Sequence, residues 1–245
     1  MADVANAIVV WGSDAAISAV RRMARPNTKI IEWGHKISFA YVSGENIPDE
    51  ALNGIAHNIC ETEQLYCSSC QGIYLDTDDM EEVFRFAERF LGILDSVAAA
   101  QTRELPTYLQ AQKTLELTTE KLESISSGKR VYQTVNCSVI AGSDGQLELS
   151  YMFRNCWVKP LPKARLIPEL LPYKNYLQTV ALLCPEPRRA ELTALLLSTG
   201  VVRLTDGRNM SQSYCEIPHD GEFALRRYMK RVSIEYTGDG PAPKL

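Results

Sequence analysis

Short runs of β-branched and aromatic residues alternate with helix-forming segments along most of this chain. Residues 7–11, 29–34 and 37–42 have the composition of strands, and residues 79–102 place apolar side chains on one stripe of a helix. Parallel strands need crossover connections such as helices, whereas antiparallel strands can be joined by a two-residue turn. The alternation therefore predicts an α/β fold, a three-layer αβα domain with a largely parallel sheet.

The same patterns predict the remaining elements. Further strands are expected at 73–75, 177–184, 201–204 and 232–236, and helices at 48–60, 105–124, 167–171, 188–198 and 222–230. Residues 131–141 and 146–158 are predicted to be two strands, because Gly142-Ser143-Asp144-Gly145 between them is a hairpin signal. The sheet is thus expected to contain one antiparallel hairpin.

Composition limits the class of protein. The 245 residues are 45% hydrophobic and 23% charged, which is ordinary for a globular chain, and a net charge of −4 gives no strong field for nucleic acid. The apolar runs are far shorter than the ~20 residues that a membrane-spanning helix needs. The first residues lack the basic start and apolar core of a signal peptide. These features predict a cytoplasmic protein without nucleic-acid partners.

Seven cysteines are present, an odd number, and several lie inside apolar runs. This distribution indicates reduced thiols rather than a disulfide framework. Cys67 differs from the others because it lies in a short polar segment just before the apolar run 73–75. A cysteine in a loop at the mouth of a sheet is placed where a thiolate can attack a carbonyl carbon.

Gln64, Cys67, Ser69 and Gln71 form a Gln-x-x-Cys-x-Ser-x-Gln pattern. It resembles the segment around the acyl-accepting cysteine of LuxC-like acyl-CoA reductases, a branch of the aldehyde dehydrogenase superfamily. Further short segments agree in order and spacing from about residue 10 to residue 236, including 154–159 and the Pro-His-Asp-Gly turn at 218–221. The resemblance implies an aldehyde dehydrogenase-like catalytic domain.

The resemblance also implies a reaction. A fatty acyl-CoA, or an acyl-protein thioester, would be reduced to the aldehyde with NADPH through an acyl group on Cys67. Backbone amides near Cys67 and the side-chain amide of Gln64 would stabilise the oxyanion. An acyltransferase or synthetase partner and a homo-oligomeric enzyme are expected on the same ground.

Three other positions have both a functional and a structural interpretation. Gly12-Ser13 follows a strand and begins a helix, so it could bind the cofactor pyrophosphate or simply cap the helix. His219 could protonate the nascent aldehyde oxygen or the leaving thiolate, or it could be an ordinary turn residue. Glu32-Trp33-Gly34-His35-Lys36 resembles the stretch that carries the general base of hydrolysing aldehyde dehydrogenases, so Glu32 could be a base or could lie in a solvated loop.

The resemblance begins partway into the architecture of the family, and the sequence has no Gly-x-Gly-x-x-Gly. We therefore predict that 1–34 is the last strand-turn-helix-strand of a dinucleotide-binding domain and 35–221 the cysteine-bearing catalytic domain. Residues 222–237 would be a returning helix and strand, and 238–245 a disordered tail. Such a fragment of a longer reductase would be inactive in reduction alone.

Two other classes of function stay open. The chain could be a non-catalytic oligomerisation or scaffold domain of the same fold. It could also be a redox or metal protein built on Cys67-Ser68-Ser69-Cys70. A structural zinc site usually needs four ligands, and the sequence has no second Cys-x-x-Cys.

Overall fold

The structure is a computed structural model that describes residues 2–101, 103–233 and 235. Its strands are β1 Ala7–Trp11, β2 Lys29–Trp33, β3 Ile37–Val42, β4 Cys70–Leu75, β5 Arg130–Gln133, β6 Ser138–Ala141, β7 Asn155–Pro160, β8 Leu177–Leu183 and β9 Arg203–Thr205. Its α-helices are α1 Asp14–Met23, α2 Asp49–Thr62, α3 Met80–Ala100, α4 Thr107–Ser127, α5 Leu166–Leu170, α6 Glu186–Ser198 and α7 Ala224–Tyr228. Single 3-10 turns flank α5 on both sides.

Seven strands form the main sheet in the order β5-β6-β7-β4-β3-β8-β9. Every neighbouring pair in it is parallel except β5 and β6. Helices α2 and α3 pack on one face, where Leu52, Ile59 and Phe90 are fully buried, and α5 and α6 pack on the other, where Leu170 and Leu196 are fully buried. The predicted three-layer αβα architecture with a largely parallel sheet is confirmed.

Strands β1 and β2 form a separate two-stranded parallel sheet, and α1 is the crossover between them. This unit coincides with the segment predicted as the end of a dinucleotide-binding domain. Parallel sheets normally have many strands covered by helices on both faces, yet Trp11 on β1 is 66% exposed. The unit is therefore set apart from the main sheet, and its assignment as a domain remnant stays a prediction.

The predicted hairpin at 142–145 is wrong. Strand β6 ends at Ala141, and β7 begins only at Asn155 and runs parallel to β6, so a tight turn cannot join them. The antiparallel pair is instead β5 with β6, inside the segment predicted as one strand. Residues 142–154 leave the sheet because the buried ammonium of Lys159 binds the Asp144 carboxylate, at 2.6 Å, and the Gln146 carbonyl, at 3.0 Å.

The carboxyl-terminal part is less regular than predicted. The expected helix at 222–230 is reduced to α7, and Val232, Ser233 and Glu235 form no strand. The rest of the expected strand, Ile234 and Tyr236, and the tail 238–245 lie outside the described residues. No helix in the described part of the chain combines the length and the apolar character needed to cross a bilayer.

Candidate active site around Cys67

Cys67 lies in the connection from α2 to β4, at the edge of the sheet where β3, β4 and β7 begin. Its side chain is exposed, while Ser69, two residues later, is fully buried. Ser69 closes the turn with two hydrogen bonds to Tyr66: its hydroxyl accepts from the Tyr66 amide at 3.0 Å, and its amide donates to the Tyr66 carbonyl at 2.9 Å. The turn therefore presents Cys67 at its tip.

Gln64 is buried beneath this turn, with 1% of its surface exposed. Its side-chain amide donates to the carbonyls of Cys70, at 3.0 Å, and Gln71, at 3.4 Å, and its side-chain oxygen accepts from the Asn155 amide at 3.1 Å. Both amide hydrogens are thus in use. The geometry does not support the oxyanion role expected for Gln64. Through these hydrogen bonds, Gln64 connects the turn to the first residues of β4 and β7.

Two stretches of left-handed backbone meet behind the turn. Glu63 and Gln64 have φ of 51° and 60°, and Phe153 has φ of 51°, in a run from 152 to 154 that is left-handed throughout. The Phe153 amide donates to the Glu63 carbonyl at 3.0 Å. Such conformations in non-glycine residues cost of order 1–3 kcal/mol each and persist only where the surroundings impose them.

The same junction contains a nearly buried ion cluster. Arg154 binds the Glu63 carboxylate at 3.0 Å, and Arg103 pairs with the same carboxylate. Arg154 also donates to the Ala98 carbonyl at 3.0 Å, which links α3 to the junction. A cavity of about 740 Å³ opens here, lined by these three charged side chains and by further polar and apolar residues, and Cys67 is not part of its lining.

Ser38 fixes the Cys67 peptide from the β3 side. Its hydroxyl donates to the Cys67 carbonyl at 2.6 Å and accepts from the Thr179 amide at 3.0 Å. Ser38 is fully buried. Ser38 was not predicted as a site residue, although a serine between Ile37 and Phe39 interrupts an otherwise apolar strand, which is a signal in the sequence.

Asn58 fixes the far side of the turn. Its side-chain oxygen accepts from the Cys70 amide at 2.8 Å, and its side-chain amide donates to the Ser211 hydroxyl at 2.6 Å. The Ser68 hydroxyl donates to the same Ser211 hydroxyl at 3.5 Å. Asn58 was also missed, although it is a polar residue on the buried stripe of α2 beside Ile55 and Ile59.

The backbone amides of Cys67 and Ser68 make no hydrogen bond within the described part of the chain. The amides around them are all engaged: that of Tyr66 with the Ser69 hydroxyl, that of Ser69 with the Tyr66 carbonyl, and that of Cys70 with Asn58. Two free amides on consecutive residues beside an exposed thiol form the kind of donor pair that stabilises an oxyanion.

The other thiols are in different surroundings. Burial raises the pKa of Cys70 to about 12, and its Sγ lies 3.2 Å from the Gly72 carbonyl. Burial also raises the pKa of the other core thiols, to about 12 for Cys60 and about 11 for Cys137 and well above the ordinary value for Cys156. Because a thiolate is the reactive form, the exposed thiols, Cys67 and Cys215, are the accessible candidates.

The Cys67–Cys70 pair has one exposed and one fully buried member. Within residues 2–101, 103–233 and 235, no group of three or more His, Cys, Asp or Glu side chains is placed to hold a metal ion. The geometry gives no support to a metal site at this pair.

His219 lies at the same edge of the sheet but beside β8 and β9. Its imidazole is 48% exposed and packs edge-on against Trp33, with ring centroids 4.9 Å apart. The next residue, Asp220, accepts from the Gln178 side chain at 2.5 Å. Gln178 precedes Thr179, the residue that binds Ser38, so the His219 turn and the Cys67 turn are anchored to adjoining positions.

Glu32 lies in β2 rather than in a solvated loop. Both of its carboxylate oxygens bind the guanidinium of Arg21 on α1, one of them at 2.6 Å from Nη2. Both carboxylate oxygens are therefore already engaged by one guanidinium. This arrangement does not favour Glu32 as a general base.

Ser13 is the N-cap of α1, as predicted, and Gly12 directly precedes it. The Ser13 hydroxyl caps the helix by accepting from the Ala16 amide at 3.3 Å, and the Gly12 amide is bonded to the Trp33 carbonyl. The amides of Asp14 and Ala15 make no hydrogen bond to other described residues and remain open to an anion. The Asp14 carboxylate at the same helix end is held by the Tyr176 hydroxyl at 2.7 Å. These residues fit one edge of a phosphate site, not a complete one.

The family model described as "Acyl-CoA reductase (LuxC)" matches residues 1–231. The long-chain acyl-protein thioester reductase of Photorhabdus laumondii is 28% identical over 238 residues, which cover 94% of this chain and 47% of that protein. The chain spans about half the length of the curated relatives that it matches along its whole course.

Solved structures show the same fold at low identity. The salicylaldehyde dehydrogenase of Pseudomonas putida G7, complexed with salicylaldehyde, is 12% identical with a TM-score of 0.63, over 87% of this chain and 46% of that one. The NAD-bound Delta-pyrroline-5-carboxylate dehydrogenase of Mycobacterium tuberculosis is 10% identical with a TM-score of 0.52, over 82% and 42%. The aldehyde dehydrogenase-like fold expected from the resemblance is confirmed.

Proposed function

Because this chain belongs to the acyl-CoA reductase (LuxC) family, we propose that it carries the acyl-accepting site of an enzyme that reduces a fatty acyl thioester to an aldehyde. The relatives are named long-chain acyl-protein thioester reductases. By analogy, the substrate is a long-chain acyl group on a protein or on coenzyme A.

One observation carries this proposal: an exposed thiol at the tip of a firmly bonded turn, beside two backbone amides that have no hydrogen-bond partner among the described residues. In the proposed step, the Cys67 thiolate attacks the thioester carbonyl carbon, and a new carbon–sulfur bond forms. The carbonyl oxygen takes the negative charge and accepts hydrogen bonds from the Cys67 and Ser68 amides. When the original carbon–sulfur bond breaks, the carrier leaves as a thiolate and the acyl group stays on Cys67.

The role of Gln64 in this step is to position the turn, because its amide is already bonded to Cys70 and Gln71. His219 stays a candidate proton donor to the leaving thiolate, supported by its exposure and its place at the same sheet edge. Held by Arg21, Glu32 is poorly placed to activate water, which suits a reductase because hydrolysis would destroy the acyl-enzyme.

A nicotinamide cofactor, NADPH by the resemblance, supplies the hydride when bound. On this chain, Gly12 and Ser13 at the start of α1 would contribute to holding its pyrophosphate through the free amides of the first turn. The two-stranded sheet of β1 and β2 supports this proposal, because a lone parallel pair with the exposed Trp11 on β1 is suited to continue a larger nucleotide-binding sheet. In this proposal the intact enzyme is cytoplasmic and homo-oligomeric and receives its acyl group from a transferase or synthetase.

Covalent acylation of the 245-residue chain tests the proposal. The chain is incubated with hexadecanoyl-CoA, and acyl groups are located by peptide mass spectrometry. We expect the acyl group on Cys67, and we expect Cys67→Ser to lose it by orders of magnitude because serine has no accessible alkoxide near neutral pH.

Two matched variants serve as controls. Cys215→Ser removes the other exposed thiol, and Cys70→Ser removes the buried partner of the Cys-x-x-Cys pair. Both should keep the acyl group on Cys67. Acylation mainly at Cys215 would contradict the assignment, and equal loss in Cys67→Ser and Cys70→Ser would favour a functional thiol pair instead.

A further inference from the structure

Ser38 bonds to the nucleophile's own peptide group rather than to its thiol. The hydroxyl donates to the Cys67 carbonyl oxygen at 2.6 Å, and that carbonyl belongs to the peptide whose nitrogen is the Ser68 amide. The Ser68 amide makes no hydrogen bond within the described residues. Ser38 therefore holds the orientation of the Cys67–Ser68 peptide, which carries one of these two amides.

Two hydrogen bonds in series lead from Thr179 through Ser38 to this peptide. The Thr179 amide donates to the Ser38 hydroxyl at 3.0 Å, and the Ser38 hydroxyl donates to the Cys67 carbonyl. Both Ser38 and Thr179 are almost fully buried, with 0% and 1% of their surfaces exposed. In a low-dielectric interior, successive hydrogen bonds polarise one another. Donation to the carbonyl end of a peptide withdraws electron density from its nitrogen and strengthens the N–H as a donor.

The geometry points to Ser38 as a positioning residue for thioester attack: its hydroxyl holds and polarises the Cys67–Ser68 peptide so that the Ser68 amide can bind the acyl oxygen. This inference rests on the proposed function of Cys67. Ser38 touches neither the substrate nor the thiol, so its effect appears only in reactions that form an oxyanion at this turn.

The test compares two reactions of the same thiol. Acylation by hexadecanoyl-CoA forms an oxyanion, whereas alkylation by iodoacetamide displaces iodide and forms none. Both rates are measured for Cys67 by mass spectrometry in the full 245-residue chain, in the wild type and in Ser38→Ala. The ratio of the two rates separates a role in positioning the peptide from a general disturbance of the turn.

We expect Ser38→Ala to lower the maximal acylation rate about tenfold, less than the roughly 10²–10³ lost when an oxyanion donor itself is removed. Alkylation of Cys67 should change less than twofold, and half-saturation by hexadecanoyl-CoA should stay the same. Ser38→Thr keeps the hydroxyl and should restore most of the acylation rate.

Ser43 provides a matched control. It is also fully buried and directly follows β3, but its hydroxyl donates to Asp76 at 2.7 Å at the opposite edge of the sheet. Ser43→Ala therefore removes a buried serine hydroxyl without touching the Cys67 peptide. It should leave the ratio of acylation to alkylation unchanged.

Three outcomes would overturn the inference. If Ser38→Ala slows acylation and alkylation equally, the residue only supports the turn. If it slows neither, or if Ser43→Ala changes the ratio as much, the hydroxyl of Ser38 has no special role. In these cases the wild type still becomes acylated on Cys67 and the proposed function stands. A wild type that is alkylated but never acylated at Cys67 would instead refute the proposed function, and this inference with it.

Discussion

Replacing Gln64 by alanine should destabilise the fold and the active-site turn together. The substitution leaves the Cys70 carbonyl without the side-chain donor that lies at 3.0 Å, in a site with 1% exposure, whereas the Asn155 amide keeps a hydrogen bond to the Met152 carbonyl at 3.1 Å. A buried polar group left unpaired costs ~1–3 kcal/mol, so we expect a loss of about 2 kcal/mol. A chain of 150–250 residues loses ~2–4 °C in Tm per kcal/mol. We therefore expect Tm to fall by about 6 °C at this rate.

Thermal unfolding followed by circular dichroism measures this loss. Gln110→Ala is the matched control, because the Gln110 side chain makes a single exposed hydrogen bond to the Leu105 carbonyl, and its Tm should change by only ~1–2 °C. Gln64→Glu keeps the acceptor for Asn155 but loses both donated bonds, and it should give an intermediate Tm. Gln64→Ala should also slow acylation of Cys67. If its Tm and its acylation rate match those of Gln110→Ala, the role assigned to Gln64 is wrong.

Three further predictions follow from other parts of the structure. Gly72→Ala should prevent folding or lower Tm by more than 10 °C, because a Cβ at Gly72 would lie 2.0 Å from the Trp157 ring; unchanged circular dichroism and Tm would contradict this. Hydrogen bonds from Thr134 and, to a smaller extent, Asn136 lower the pKa of Asp95. Its contribution to stability should therefore be present at neutral pH and fade as pH falls through that lowered pKa. The stability of Asp95→Asn should depend less on pH between neutral and acidic pH, and a pH dependence identical to that of the wild type would refute this contribution of Asp95. The 245-residue chain should not oxidise NADPH with saturating hexadecanoyl-CoA, because the described part offers only one edge of a phosphate site; a steady fall in NADPH absorbance would show otherwise.

The three layers of the fold could be predicted from the sequence, but the path of the chain between β6 and β7 could not. Apolar periodicity predicted α3 to within two residues at each end, because burial of one helix face is a local pattern. The excursion at 142–154 could not be predicted from such a pattern, because it depends on Lys159, a charged residue that is 3% exposed and paired with Asp144. A buried lysine in a strand is visible only once its partners are known.

The candidate site, too, could be predicted only in part from the sequence. The spacing of Gln64 and Cys67 pointed to the turn that carries the candidate site, but it could not show which atoms of Gln64 were still free. The hydrogen bonds of Gln64 depend on the left-handed backbone at Glu63 and Gln64, which directs the Gln64 side-chain amide beneath the Cys67 turn. Ser38 and Thr179 lie 141 positions apart in the chain, and only the pairing of β3 with β8 brings them together.

The seven-stranded sheet also has a practical consequence for engineering. Cys67 lies where β4 begins, and six-residue β4 carries the chain about 17 Å to its other end at a rise of ~3.3 Å per residue. The connection that follows β4 contains the exposed residue Asp78 and lies at the opposite end of this strand from the Cys67 turn. A fluorophore or peptide tag inserted there would lie at the opposite end of β4 from the thiol. Such insertions could report on acylation without entering the site where it happens.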